Sequence, residues 1–313
     1  MTLNLLIILF FFVFSYLISN LYVNGDQQIY LYLYNSFASL DLYSSYLIYA
    51  NEIYNFEFIH FFISWLFGYY SLDKNIIMSC FNVTLYLLIF NYCNKILLVN
   101  RWYLHLFLLT NFHLYTLYFS AERLKFGCIF FLLSFLYMNN KRKSINILFS
   151  VTSVFSHIQM IIPYIFIYLS TVLKYFKFKF SLNTIFYLAL SIAVILLIIP
   201  TAYDKFLAYS ESSVDRNISL DFFRILIYMV GAYFCSNKKY IIFYFMPLFL
   251  MVLLIGGERV NQIAYFIFIY FSFRYSRGVD IISLSINVYF SCKSLLFIDN
   301  VIEFGNGLQP NIL

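Results

Sequence analysis

Long apolar runs alternate with short polar links along most of this 313-residue chain. The first run, 3–23, is long enough for a bilayer core about 30 Å thick. No basic stretch precedes it and no small-residue cleavage site follows, so it reads as a retained first helix rather than a leader. Further runs at 75–93, 101–119, 123–138, 182–200, 220–235, 240–256, 260–273 and 281–298 read as crossings. The run 58–70 is shorter and at 1.5 Å per residue reaches only about 20 Å. It reads as a re-entrant or interfacial helix, near 57–72, with both ends on one side. Residues 144–173 are divided by His157 and followed by Lys174, Lys177 and Lys179. They read as a hairpin of two legs with the histidine at its tip.

The segment 25–57 holds Asp26, Asp41, Glu52 and Glu57 and no Lys or Arg. It reads as an outer loop along the interface, where its tyrosines (30, 32, 34, 43, 46, 49 and 54) would settle. Charge distribution then orients the rest. Links holding Lys95, Arg101, Lys141–Lys143, Lys174, Lys177, Lys179, Lys238, Lys239, Arg274 and Arg277 fall on one side, twelve of the twenty basic residues. Only Asp280 of the fourteen acidic residues joins them. The basic side is cytoplasmic, which puts the N-terminus inside and the C-terminus outside. The expectation is an all-α polytopic membrane protein of about eleven transmembrane helices, with 1–313 forming a single integral membrane domain.

Composition agrees. The chain is 63% hydrophobic and 11% charged, with a mean hydropathy of +0.82, against about 25% charged residues in soluble domains. The net charge of +6 is a matter of loop distribution, so no nucleic-acid partner is expected. The five cysteines show no paired spacing and read as small apolar residues, not as disulfides or zinc ligands. The aromatic excess, mostly Phe and Tyr, reads chiefly as compositional bias, with sugar-stacking platforms as the functional alternative.

Ionisable groups at membrane positions are costly and are functional candidates by default. On the expected outer face stand Asp26, Glu57, Glu122, Arg123, His157, Asp215, Arg216, Arg224, Glu258 and Arg259. Arg123 and Arg259 each open a helix, where free N–H groups and the positive dipole end favour an anion. An arginine fork binds phosphate without metal, so the pair would form a cradle for a pyrophosphate. The plainer reading is that Glu122–Arg123 and Glu258–Arg259 mark where helices meet water. His157 is either a phosphate partner, a proton acceptor near neutral pH, or a satisfied buried histidine. Asp26 and Glu57 are the carboxylates best suited to deprotonate a sugar hydroxyl, although Asp26 also fits an ordinary turn after Asn24–Gly25. Gly127, one turn below Arg123, would allow a close helix contact. His60, His105 and His113 show no partner spacing and receive no role. No HExxH, P-loop, GxGxxG or CxxC pattern is present, and no DxD sugar-nucleotide signature, so neither a metal nor a cofactor is expected.

The order of these features resembles the EpsG-like group of Wzy-type polysaccharide polymerases over nearly the whole length. It runs from a first span through Asp26 with Tyr30 and Tyr34, Glu57–Phe58 before a short helix, Arg123 opening a helix, a Lys/Arg loop and Phe155–Ser156–His157 to Arg259 with Tyr265. The family's Arg-Gln-x-x-Ala stands here as Arg123-Leu124-Lys125-Phe126-Gly127, keeping the arginine and a small residue but losing the glutamine. Its Phe-His is spread by Ser156. The resemblance implies a lipid-donor glycosyltransferase of the bacterial inner membrane. It would join undecaprenyl-pyrophosphate-linked oligosaccharide repeat units at the periplasmic face, with membrane lipid and a chain-length regulator as possible partners. Arg123 and Arg259 would hold pyrophosphate with His157 assisting, Asp26 or Glu57 would be the base, and Arg216 and Arg224 would guide the acceptor or second phosphate. The competing classes are a flippase for the same lipid-linked sugar and an O-antigen ligase-type transferase. A flippase would carry its charges at the midplane between internal repeats, which the chain does not show.

Overall fold

The computed structural model describes residues 2–53, 57–138, 143–161, 163–164, 218–255 and 257–308. All regular structure among them is helical. The helices are α1 (Thr2–Leu21), α2 (Asp26–Ser36), α3 (Leu42–Ile53), α4 (Phe58–Tyr69), α5 (Lys74–Lys95), α6 (Arg101–Thr110), α7 (Phe112–Tyr115), α8 (Glu122–Met138), α9 (Lys143–Ser156), α10 (Ile218–Ser236), α11 (Ile242–Ile255), α12 (Gly257–Ser276) and α13 (Ile281–Phe304). Among the described residues, four stretches are long and apolar enough to cross a bilayer: Asn4–Leu21, Lys74–Lys95, Ile218–Ser236 and Ile281–Phe304. Exposed Leu5, Leu6, Leu9, Phe10 and Leu17 line α1, a surface suited to lipid rather than water. The run expected at 182–200 and the second leg of the 144–173 hairpin beyond residue 164 lie outside the described residues.

By packing, the chain falls into two compact units, 1–161 with 285–313, and 162–284. In the first, α5 packs on α1 and α8, α8 pairs with α9, and α4 lies against α2 and α9. In the second, α10 packs on α11 and α12.

Two expectations are corrected in the first unit. The segment expected as a loop forms two helices, α2 and α3, and Tyr30, Tyr34 and Tyr49 are buried within the protein. The cause is visible along α2, where Gln27, Tyr30, Leu33 and Tyr34 share one buried face at helical spacing. Gly25 makes the corner before it with φ of 67°, a conformation open to glycine. The run 101–119 is not one helix either. Asn111 leaves the helical conformation at ψ 122° and caps α7 by accepting from the N–H groups of His113 and Leu114. A π-helical turn, Thr116–Ser120, follows. Across the break, Ser294 of α13 donates to the carbonyl of Thr110 at 2.7 Å, covering one of the groups the break frees.

The short helix expected at 58–70 is α4, and α5 is held at its start by Asp73, which accepts from the N–H groups of Asn75 and Ile76 at 2.7 and 3.0 Å. A cap of this kind contributes about 1 kcal/mol.

Candidate functional site

Glu57 precedes α4 but does not cap it. Its carboxylate reaches away from its own helix to two other segments. Oε2 accepts from Nη1 of Arg123 at 3.0 Å, and Oε1 meets Nδ1 of His157 at 2.6 Å. Residues 57, 123 and 157 thus converge from α4, α8 and the end of α9. The carboxylate is buried, which would raise its pKa. The His157 hydrogen bond, together with the charges of His157, Arg123 and His60, outweighs burial and holds it down to about 2.

Each partner is aimed by local structure. The π turn brings the chain into α8, with the Ala121 N–H donating back five residues to Thr116 at 2.9 Å. Glu122 and Arg123 then leave the first turn of α8 towards different partners. Arg123 directs Nε to the Tyr30 hydroxyl at 3.0 Å. Two of its five N–H groups are therefore used within the protein, and its side chain keeps 17% exposure. His157 ends α9 in extended backbone, φ −157° and ψ 116°, which turns its ring out of the helix. Its Nε2 faces the Gln159 side-chain oxygen at 3.1 Å. In that arrangement both ring nitrogens donate; turning the Gln159 amide over leaves Nε2 as an acceptor. Gly127 is where α8 and α9 close. A Cβ there would lie 2.6 Å from Met160 Cγ and 3.3 Å from His157 Cβ, and the Gly127 carbonyl accepts from Ser153 at 2.8 Å.

Glu122 anchors a second buried cluster. Lys74, at the start of α5, donates to Glu122 Oε1 at 2.8 Å and to Gln27 at 2.7 Å. Gln27 in turn donates to the Phe119 carbonyl at 2.8 Å. Nε2 of His60 lies 4.0 Å from Glu122 Oε2, and neither atom has a hydrogen-bond partner among the described residues. The other nitrogen of His60 pairs with the Tyr49 hydroxyl at 2.9 Å. Lys125 is 1% exposed, with its ammonium 3.8 Å from Met78 Sδ. Lys125, Glu122, Gln27, Tyr22 and Ser19 line a polar cavity of about 10 Å³, room for roughly one water. The two clusters pair Arg123 with Glu57 and Lys74 with Glu122, with Lys125 buried beside the second.

Of the residues singled out in the sequence, Glu57, Arg123 and His157 come together. Asp26 sits exposed in the first turn of α2. Arg224 and Arg259 belong to the second unit. Arg224, half exposed, pairs with Asp221 at 3.1 Å, and Asp221 also accepts from Asn261 at 2.7 Å. Arg259 lies on α12. Arg216 lies outside the described residues. The residues not anticipated as partners are Tyr30, Gln27, Lys74, His60 and Gln159. Lys74 and Lys125 did leave a signal, since each is a charge placed in or at the edge of an apolar helix. For His60, set in an apolar run, spacing carried none.

No family model, curated protein or solved structure matches this chain.

Proposed function

We propose that this membrane protein is a glycosyltransferase that joins polyprenyl-pyrophosphate-linked oligosaccharide repeat units at the outer face of the bacterial inner membrane. The proposal includes the eleven-crossing topology with a cytoplasmic N-terminus. The observation that carries it is the joint hold of Glu57 on Arg123 and His157. This is the donor-plus-base pairing that transfer from a pyrophosphate requires.

Within this reading His157 is the base and Glu57 its orienting partner. A carboxylate on Nδ1 fixes the ring and stabilises the imidazolium formed when Nε2 takes a proton. That role replaces direct deprotonation by Glu57, whose two oxygens are both occupied. Asp26, exposed on α2, serves as no more than an alternative. The acceptor sugar hydroxyl attacks the anomeric carbon of the donor chain, giving its proton to His157 Nε2 with Gln159 turned aside. The carbon–oxygen bond to pyrophosphate breaks and the electron pair leaves on the pyrophosphate oxygen. The N–H groups of Arg123 not engaged by Tyr30 and Glu57 meet that developing charge. A part for Arg259, Arg216 and Arg224 in holding phosphate or acceptor rests on the family resemblance.

The test is genetic and chemical. A strain lacking the gene, complemented with the wild type, is compared with one carrying Arg123→Ala at matched membrane level. The reading expects surface glycan bearing single repeat units with no polymer in the variant. Lipid-linked polymer that is made but never attached would indicate a ligase, and units retained on the cytoplasmic side a flippase. Full-length polymer from Arg123→Ala removes the assignment.

A further inference from the structure

A groove of about 470 Å³ lies between α2 and the corner joining α4 to α5, lined among others by Leu31, Asn35, Leu72, Asp73, Lys74 and Asn75. We infer that it binds the carbohydrate of the lipid-linked substrate next to the pyrophosphate, an inference that rests on the polymerase reading.

The lining selects this class of ligand. Asn35 commits neither end of its amide to another described residue, and it is exposed on the same face of α2 as Leu31. Asn75 uses its amide nitrogen on Asn20 at 2.7 Å, and its side-chain oxygen accepts from no described residue. Asp73 spends one carboxylate oxygen on the α5 cap and keeps the other. The lining thus combines amide and carboxylate groups with apolar Leu31 and Leu72, the mixture that a hydroxyl-bearing ring presents in return. A phosphate fits poorly. Asp73 would repel it, and the Lys74 ammonium is already held by Glu122 and Gln27. An acyl chain fits poorly too, because it would leave the amides and the carboxylate unsatisfied.

Position supports the same choice. The Lys74 ammonium is 5.7 Å from the ring centres of both Tyr30 and Tyr34. Tyr30 holds Arg123, and Tyr34 lines the groove one helical turn further along α2, about 6 Å. That displacement is on the scale of one sugar ring. Arg123 and the groove are thus tied to successive turns of one helix, through Tyr30 and Tyr34.

Filling the groove tests this without touching Glu57, Arg123 or His157. Asn35→Trp and Leu31→Trp replace exposed side chains, so neither disturbs the core. Each is expressed in the deletion strain, and polymer, single-unit glycan and the protein's membrane level are measured. Loss of the groove's space in both variants, and of the Asn35 hydrogen bonds in one, lowers polymer by about tenfold or more. Asn35→Ala, which opens space, lowers it less. Wild-type amount and length of polymer from both tryptophan variants at matched level overturns the groove assignment while leaving the polymerase reading intact. A deletion strain that keeps its polymer overturns both.

Discussion

Glu57 Oε1 lies 2.6 Å from His157 Nδ1 across a hundred residues of chain, and the contact is buried. Its other oxygen is on Arg123. One carboxylate therefore fixes both the group proposed to take a proton and the group proposed to meet the leaving charge. Removing it should uncouple them. Glu57→Gln keeps the size but cannot balance Arg123, and breaking a buried pair costs about 3–5 kcal/mol. The expected outcome is a lower unfolding temperature in detergent and loss of polymer. Glu57→Asp, which keeps the charge on a shorter arm, should recover stability more than polymer.

Acid should act through the same residue. The Glu57 pKa falls from an ordinary 4.5 to about 2 in the folded protein. A depressed carboxylate contributes its stability fully above 4.5 and loses it as pH falls through 2. The difference is worth about 3 kcal/mol. Unfolding temperatures measured between pH 5 and pH 2 should fall more steeply for the wild type than for Glu57→Gln. Parallel curves would show that Glu57 is not held in its charged form.

The fork of Arg123 is shared between Tyr30 and Glu57, which a lysine cannot reproduce from one nitrogen. Arg123→Lys should keep the protein in the membrane yet cut polymer by about tenfold or more. Tyr30→Phe removes one hydrogen bond to that charged group, about 1.5–3 kcal/mol, and should shorten polymer without abolishing it.

Gly127 is a packing prediction. A methyl group there meets Met160 Cγ at 2.6 Å before His157 Cβ at 3.3 Å. Gly127→Ala should destabilise the protein by about 1–3 kcal/mol, and Met160→Ala in the same chain should recover much of it. Recovery of stability without recovery of polymer would separate the packing of α8 on α9 from the aim of His157.

Lys74 and Glu122 form the second buried pair. Lys74→Met alone should be among the most damaging single changes, because it leaves Glu122 with His60 4.0 Å away. The double variant Lys74→Met with Glu122→Gln should be closer to the wild type than either single one. Thermal unfolding of all four proteins gives the coupling directly.

Sequence and structure part company in a consistent way. The short α4 and the long α5 were legible because their apolar runs begin and end at polar residues whose chemistry stops a helix, as Asp73 does. The α2 and α3 helices were not, because tyrosines suited to an interface are equally suited to a core that offers hydroxyl partners. Buried Tyr30 accepts from Arg123, and buried Tyr49 pairs its hydroxyl with His60 Nδ1. Neither partner is near in sequence. The break at Asn111 was hidden for a related reason: the residues that cover it come from α13.

The sequence by itself determined that this is a helical membrane protein, since a chain with so little charge and so many apolar runs must satisfy its backbone within helices. It also marked Glu57, Arg123 and His157 as functional candidates, beside plainer structural readings. Only the tertiary structure decided that these three meet, that Asp26 stands apart on an exposed turn, and that Lys74, Glu122 and His60 form a cluster of their own. Spacing along one helix fixes which residues share a face. Contact across 66 or 100 residues depends on how α4, α8 and α9 pack, which is set by Gly127 and by many apolar contacts that no local pattern encodes.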